Sequence, residues 1–135
     1  MGSEFAVLFV DDDDLVRAPV AELLRLCGLR VLAASGAAEA LSILEREHVD
    51  ALFTDVVMPD MDGIELAKRA QVLRPGIRVL FATAYYSRAA DASRMGKVLF
   101  KPVRAQQLED AVDDLLTGMS AGSARPRGRG AIESG

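Results

Sequence analysis

A chain of 135 residues, half of them apolar and 27% charged, has the length to bury one core without staples and no room for a second domain. Its net charge of −4, its single cysteine and the lack of any apolar run near ~20 residues exclude a helical membrane span, a disulfide scaffold and a nucleic-acid-binding body. The charge is uneven: from Gly118 onward Arg125, Arg127 and Arg129 oppose Glu133, so the tail carries +2 and the rest of the chain −6.

Residues 1–5 read as a cloning scar, and with no signal peptide before the first strand and no disulfide the expected compartment is the cytoplasm. An apolar run over residues 5–10 predicts the first strand, and it ends directly in Asp11, Asp12, Asp13 and Asp14. Val16, Val20, Leu23, Leu24 and Cys27 then follow 3.6-residue spacing, with Asp14 as N-cap and Gly28 as the stop. Pro19 inside that pattern predicts a late start or a bend. Cys27 falls on the apolar face and reads as core rather than as a nucleophile. Residues 30–34 predict strand two, closed by Ser35 and Gly36. Ala37, Ala40, Leu41 and Leu44 line a second helix ending near His48, the sole histidine, which is not read as a phosphodonor.

Strand three covers residues 51–54 and runs into Asp55. Leu66, Ala67, Ala70 and Leu73 line the third helix, stopped by Pro75 and Gly76. Strand four, residues 77–82, leads to Thr83. Residues 87–94 are mostly Ala, Ser and charge, so a fourth helix there is expected to be short or labile. Strand five, residues 98–100, precedes Lys101 and Pro102. Leu108, Ala111, Val112, Leu115 and Leu116 pattern a fifth helix. The tail over 118–135, rich in Gly, Ser and Arg, is expected to be disordered. Five βα units with right-handed crossovers give a doubly wound α/β/α sandwich.

If strands one and three are parallel neighbours, Asp11, Asp12 and Asp55 converge at the carboxyl edge, where open α/β sheets hold ligands. At about 4 Å each pair of like charges repels by roughly 4 kcal/mol at an effective dielectric of 20. Such a cluster calls for a cation, and all-oxygen ligation favours Mg²⁺. The arrangement suits acceptance of a phosphoryl group.

Val10-Asp11-Asp12 with Arg17 five places beyond Asp12, Asp55 before Met58-Pro59-Asp60-Met61-Asp62-Gly63, Thr83 after strand four and Lys101-Pro102 after strand five together resemble the bacterial response-regulator receiver domain. The resemblance covers about residues 6–117. It implies a flavodoxin-like fold with a five-stranded parallel sheet of order 2-1-3-4-5 and helices on both faces. It further implies that Asp55 takes a phosphoryl group from a sensor histidine kinase or a histidine phosphotransferase. Asp11, Asp12, Asp55 and the backbone carbonyl of Val57 would hold Mg²⁺, Asp13 and Asp14 then being loop and N-cap. Lys101 would contact the phosphoryl oxygens and Asp55, and Thr83 would donate its hydroxyl to the group. Pro102 would fix the direction of the lysine through a cis peptide, and Gly63 closes the turn after the acceptor.

The chain departs from the common pattern at Val98, three places before the lysine, where many receivers carry an aromatic residue. Phe81-Ala82-Thr83-Ala84-Tyr85-Tyr86 resembles the FATGUY subgroup, with Ala84 in place of its glycine. There the tyrosine after the threonine stands in for the strand-five aromatic, so Tyr85 or Tyr86 is expected to repack once Thr83 moves. Val57 and Tyr85, each two places past a site residue, are poor at orienting a hydrolytic water, which predicts slow self-dephosphorylation. The expected protein is therefore a signalling phosphoacceptor rather than an enzyme. It would be monomeric or weakly dimeric, switching a downstream protein partner, with no nucleic acid bound through the domain and no membrane. The short span after the fifth helix leaves no output domain, which fits a stand-alone receiver or one cut from a hybrid kinase. The subgroup suggests alphaproteobacterial signalling, the general stress response being one pathway. Two other readings are a haloacid-dehalogenase-like phosphatase, with Asp11 attacking and Asp13 as general acid, and a receiver-shaped docking module that never carries phosphate.

Overall fold

The computed structural model describes residues 4–118. Five strands, β1 (Ala6–Val10), β2 (Arg30–Ala34), β3 (Ala51–Asp55), β4 (Arg78–Thr83) and β5 (Lys97–Phe100), alternate with five helices. The helices are α1 (Asp14–Leu26), α2 (Ala37–Arg46), α3 (Gly63–Leu73), α4 (Ala89–Ser93) and α5 (Ala105–Gly118), with a 3₁₀ turn, Tyr86–Arg88, before α4. The strands form one parallel sheet in the order β2-β1-β3-β4-β5. This is the flavodoxin-like, doubly wound topology.

Both faces of the sheet are covered, which is why the central strands are continuous apolar runs rather than alternating ones. Val7 and Phe9 of β1 pack with Leu24 of α1 and Leu108, Ala111 and Val112 of α5. Leu8 and Val10 point the other way, onto Ala40 and Leu44 of α2 and Leu66 and Ala67 of α3. Each fully buried Leu, Val or Phe contributes roughly 1.5–3 kcal/mol. Alternation of period two within each strand thus feeds two cores, and the sheet lies between them.

Several boundaries differ from expectation. The first strand begins at Ala6, not at residue 5, and α2 ends at Arg46, short of His48. Asp13, not Asp14, caps α1: its side chain accepts the Leu15 N–H at 2.9 Å, and Asp14 is the first helical residue. Helix α1 does not start late; Pro19 lies inside it, where its missing N–H removes one bond, to the Leu15 carbonyl, near the helix start. Cys27 is half-buried at the C-cap of α1. Burial, reinforced by the charges of Glu109 and Asp113, pushes its thiol up, as fits an inert residue. Gly28 follows at φ 92°, donating to the Arg25 carbonyl while Leu29 donates to that of Leu24, the left-handed Schellman stop that glycine permits. On α3 it is Ile64 that is buried, whereas Leu73 is exposed. Helix α4 is short, five residues with Ala92 alone fully buried. Gly118, expected to open the disordered tail, is instead the last residue of α5; the rest of that tail and the first three residues of the predicted cloning scar lie outside the described residues.

Candidate functional site

Parallel pairing brings the carboxyl ends of β1, β3, β4 and β5 to one edge. Val10 is level with Thr54, Asp55 with Ala82, and Thr83 with Phe100. Asp11 is therefore the first residue beyond β1, Asp55 the last of β3, Thr83 the last of β4 and Lys101 the first beyond β5. The Lys101 N–H donates to the Thr83 carbonyl at 2.9 Å, extending the ladder to the site itself.

The Lys101 ammonium lies 3.0 Å from Asp55 Oδ2 and 3.0 Å from Asp11 Oδ2. Asp11 and Asp55 are buried, at 1% and 8% exposure, while Asp12 faces solvent. One carboxylate oxygen from each of Asp11, Asp12 and Asp55 falls within 4.8 Å of the others. Three carboxylates to one ammonium leave two negative charges unmatched. Burial pushes the Asp55 carboxyl above the ordinary aspartate range; the bond and charge of Lys101 pull it down, and the charges of Asp11 and Asp12 push it up again. For Lys101, burial lowers the ammonium's pKa, but its bonds to Asp55 and Asp11 outweigh this and raise it, so it stays a cation. Ionised Asp55, disfavoured first by burial and then by the neighbouring acids, is what the site holds with difficulty, whereas the lysine is held charged. An all-oxygen set short of two positive charges fits a hard divalent cation.

The turn after β1 is held by its own polar groups. Asp11 Oδ1 accepts the Asp13 N–H at 2.9 Å, and the Arg17 guanidinium donates to the Asp11 carbonyl at 2.9 Å and pairs with Asp14. With its carboxylate committed to capping α1, Asp13 is no free general acid, which counts against the phosphatase reading of this loop.

After β3, the Val56 N–H donates to the Ala82 carbonyl and the Gly63 N–H to the Val56 carbonyl at 2.7 Å. The chain turns back so tightly that a Cβ on Gly63 would lie 2.1 Å from the Asp55 carbonyl oxygen. Gly63 is thus required by close approach rather than by an unusual φ. A cleft of about 530 Å³ opens over the acids, lined among others by Asp12, Asp55, Val57, Ala84, Tyr85 and Lys101.

Thr83 is fully buried, and its Oγ1 accepts the Tyr85 N–H at 3.0 Å while keeping its own proton to donate. Tyr86 packs its ring at a tilt on Phe100, and Val98 is half-buried against the α2–α3–α4 core. The Lys101–Pro102 peptide is cis.

Three features escape local sequence reading. Asp60 accepts the Ala37 and Ala38 N–H groups of α2, and Asp62 both caps α3 and pairs with Arg88 at 2.6 Å. Leu15, 86% exposed, flanks a largely apolar groove of about 560 Å³ between α1 and the β5–α5 connection, which Asp11 and Lys101 also line. The Asp62 cap on Glu65 is local, but the other partners lie far along the chain, so no spacing rule marks them.

Comparison with known proteins bears on the same edge. A family model described as the response regulator receiver domain matches residues 7–113. The response regulator receiver protein CpdR of Brucella abortus is 35% identical over 114 residues, 82% of this chain and 95% of CpdR. Sporulation initiation phosphotransferase F of Bacillus subtilis is 32% identical, covering 82% of this chain and 92% of that protein. A CheY-like response regulator receiver domain protein from Methanospirillum hungatei superposes with a TM-score of 0.79 at 30% identity, over 89% of this chain and all of that one. Other curated relatives are larger, and the chain spans 12% to 45% of their length.

Proposed function

This chain belongs to the response-regulator receiver family of two-component systems, and on that footing we propose that Asp55 is its phosphoryl acceptor, served by Lys101, Thr83 and Mg²⁺. The observation that carries the proposal is the Lys101 ammonium, 3.0 Å from both Asp11 and Asp55 at the mouth of the cleft.

An Asp55 oxygen attacks the phosphorus of a phosphohistidine; the P–N bond breaks and its electron pair leaves with the imidazole. Lys101 faces the oxygens that gain charge, and Thr83 supplies a hydroxyl donor from the neighbouring strand end. Asp11, Asp12, Asp55 and the Val57 carbonyl would hold Mg²⁺, which supplies charge neutralisation for the transferring group when bound. Burial of Asp11 and Asp55 keeps water from screening these charges.

The donor is a sensor histidine kinase or a histidine phosphotransferase, and the apolar groove beside Leu15 gives its helices a surface next to Lys101. Output is a changed affinity for a downstream protein partner, with Thr83, Tyr85 and Tyr86 as the switch. Among the described residues no helix is long and apolar enough to cross a membrane. The protein so proposed is cytoplasmic, monomeric or weakly dimeric, and catalyses only its own phosphorylation and slow dephosphorylation.

The test is acetyl phosphate labelling with and without Mg²⁺, followed by intact-mass measurement of the wild type and Asp55→Asn. Label that requires Mg²⁺ and Asp55 is expected. Label retained in Asp55→Asn, or mapped to Asp11, overturns the assignment and returns the phosphatase reading.

A further inference from the structure

Helix α2 begins without a cap of its own, because Gly36 at its N-cap has no side chain. The acceptor comes from 23 residues away: Asp60 Oδ2 takes the Ala37 N–H at 2.9 Å and the Ala38 N–H at 3.2 Å. A carboxylate there meets two otherwise orphaned donors and the positive end of the helix dipole. The fit is close, since a Cβ on residue 36 would stand 3.1 Å from Asp60 Oδ2.

The loop that carries Asp60 joins β3 to α3 and also carries Val57, which lines the cleft. Its start is fastened to the sheet edge by the Val56 N–H on the Ala82 carbonyl, and its end is tied back to that start by the Gly63 N–H on the Val56 carbonyl. Between those points Asp60 ties the loop to α2.

We propose that Asp60 is a positioning residue for the cation site: anchored on the α2 N-terminus, it holds the Val57 backbone against Asp12 and Asp55. This rests on the reading of the acid cluster as a divalent-cation site. The bond is reciprocal, so cation binding that orders the loop also steadies the first turn of α2.

The experiment is a Mg²⁺ titration followed by amide NMR, with a thermal melt of each protein, on the wild type, Asp60→Ala, Asp60→Asn and the double variant Asp60→Ala with Gly36→Ser. Residue 36 has extended backbone (φ −174°), in which a serine can cap α2 once Asp60 is gone. Asp60→Ala is expected to weaken Mg²⁺ binding by about tenfold, as loss of an outer-shell partner does. Asp60→Asn, which keeps an acceptor oxygen, recovers part of it. The double variant regains melting temperature but not affinity. In the wild type the Ala37 and Ala38 amide signals move with Mg²⁺, and in Asp60→Ala that response is lost.

Unchanged affinity in Asp60→Ala overturns the proposal. So does affinity that returns together with melting temperature in the double variant, because Asp60 would then be a helix cap and no more. A wild type whose Asp12 and Asp55 amides ignore Mg²⁺ is a distinct result, which removes the cation site itself.

Discussion

The ring of Tyr86 rests on that of Phe100, with centroids 4.4 Å apart and planes inclined by 34°. Phe100 ends β5 and Lys101 follows it, so Tyr86 leans on the strand that presents the ammonium. One residue earlier, the Tyr85 N–H is held by Thr83 Oγ1. A Thr83 hydroxyl that turns to a phosphoryl oxygen gives up that bond and frees the segment carrying both tyrosines. Beryllofluoride with Mg²⁺ should therefore shift the Tyr86 ring resonances in aromatic NMR; static signals would break the coupling. Tyr86 is 77% exposed, so Tyr86→Ala should lower stability by no more than about 1 kcal/mol.

Lys101→Met strands Asp11 and Asp55 without their cation in a buried setting. Without Mg²⁺ the variant should be less stable than the wild type by about 3 kcal/mol in urea unfolding. Mg²⁺ should raise its midpoint by more than it raises that of the wild type, because the ion then meets the charge that the lysine no longer balances. An equal response in both proteins would contradict the charge argument.

Asp55→Asn should behave in the opposite way. A carboxyl whose pKa is raised by folding binds its proton in the native state at a pH where the unfolded chain has already lost it. Ionised Asp55 therefore lowers stability at every pH above its folded pKa, and the penalty fades as pH falls toward roughly 4, the unfolded value. At neutral pH without Mg²⁺, Asp55→Asn should be the more stable protein, and the gap should close on acidification. Urea midpoints across this range decide it; a gap that widens toward acid would reverse the sign.

Gly63→Ala places a methyl 2.1 Å from the Asp55 carbonyl oxygen, and backbone cannot yield there. The expected loss is about 3 kcal/mol or more. Gly76→Ala, with nothing within 4 Å, should stay within about 0.5 kcal/mol of the wild type. Thermal melts of the pair separate a crowded turn from glycine flexibility in general.

Val57 lines the cleft with an apolar side chain that is 38% exposed and has no group to orient a water. Val57→Asn should shorten the life of the phosphorylated state by about tenfold, below the full range of a true general base. Phosphoryl half-life measured by quenched time points tests this, and an unchanged value would remove Val57 from the account of slow hydrolysis.

Much of this was legible because strand ends coincide with chemistry: apolar runs that stop at Asp11, Asp55, Thr83 and Lys101 locate the edge from the sequence alone. The misreadings have local physical causes. Four successive aspartates offer no pattern to choose a cap, and the choice of Asp13 follows from the turn its N–H makes with Asp11 Oδ1. Leu73 continues the spacing of Leu66 and Ala70 but is the last residue of α3, where it is exposed, while Ile64 in the first turn is buried. Asp60 with α2 and Asp62 with Arg88 join residues 22 to 26 apart, a separation at which periodicity says nothing.

Between Tyr85 and Ser93 the core grips the chain fully at one methyl group, that of Ala92. So light an attachment should make this rim early, among the described elements, to surrender its amide protons to solvent and easy to mould against another surface. A few side chains can thus be exchanged here while the sheet and its acids stand unaltered.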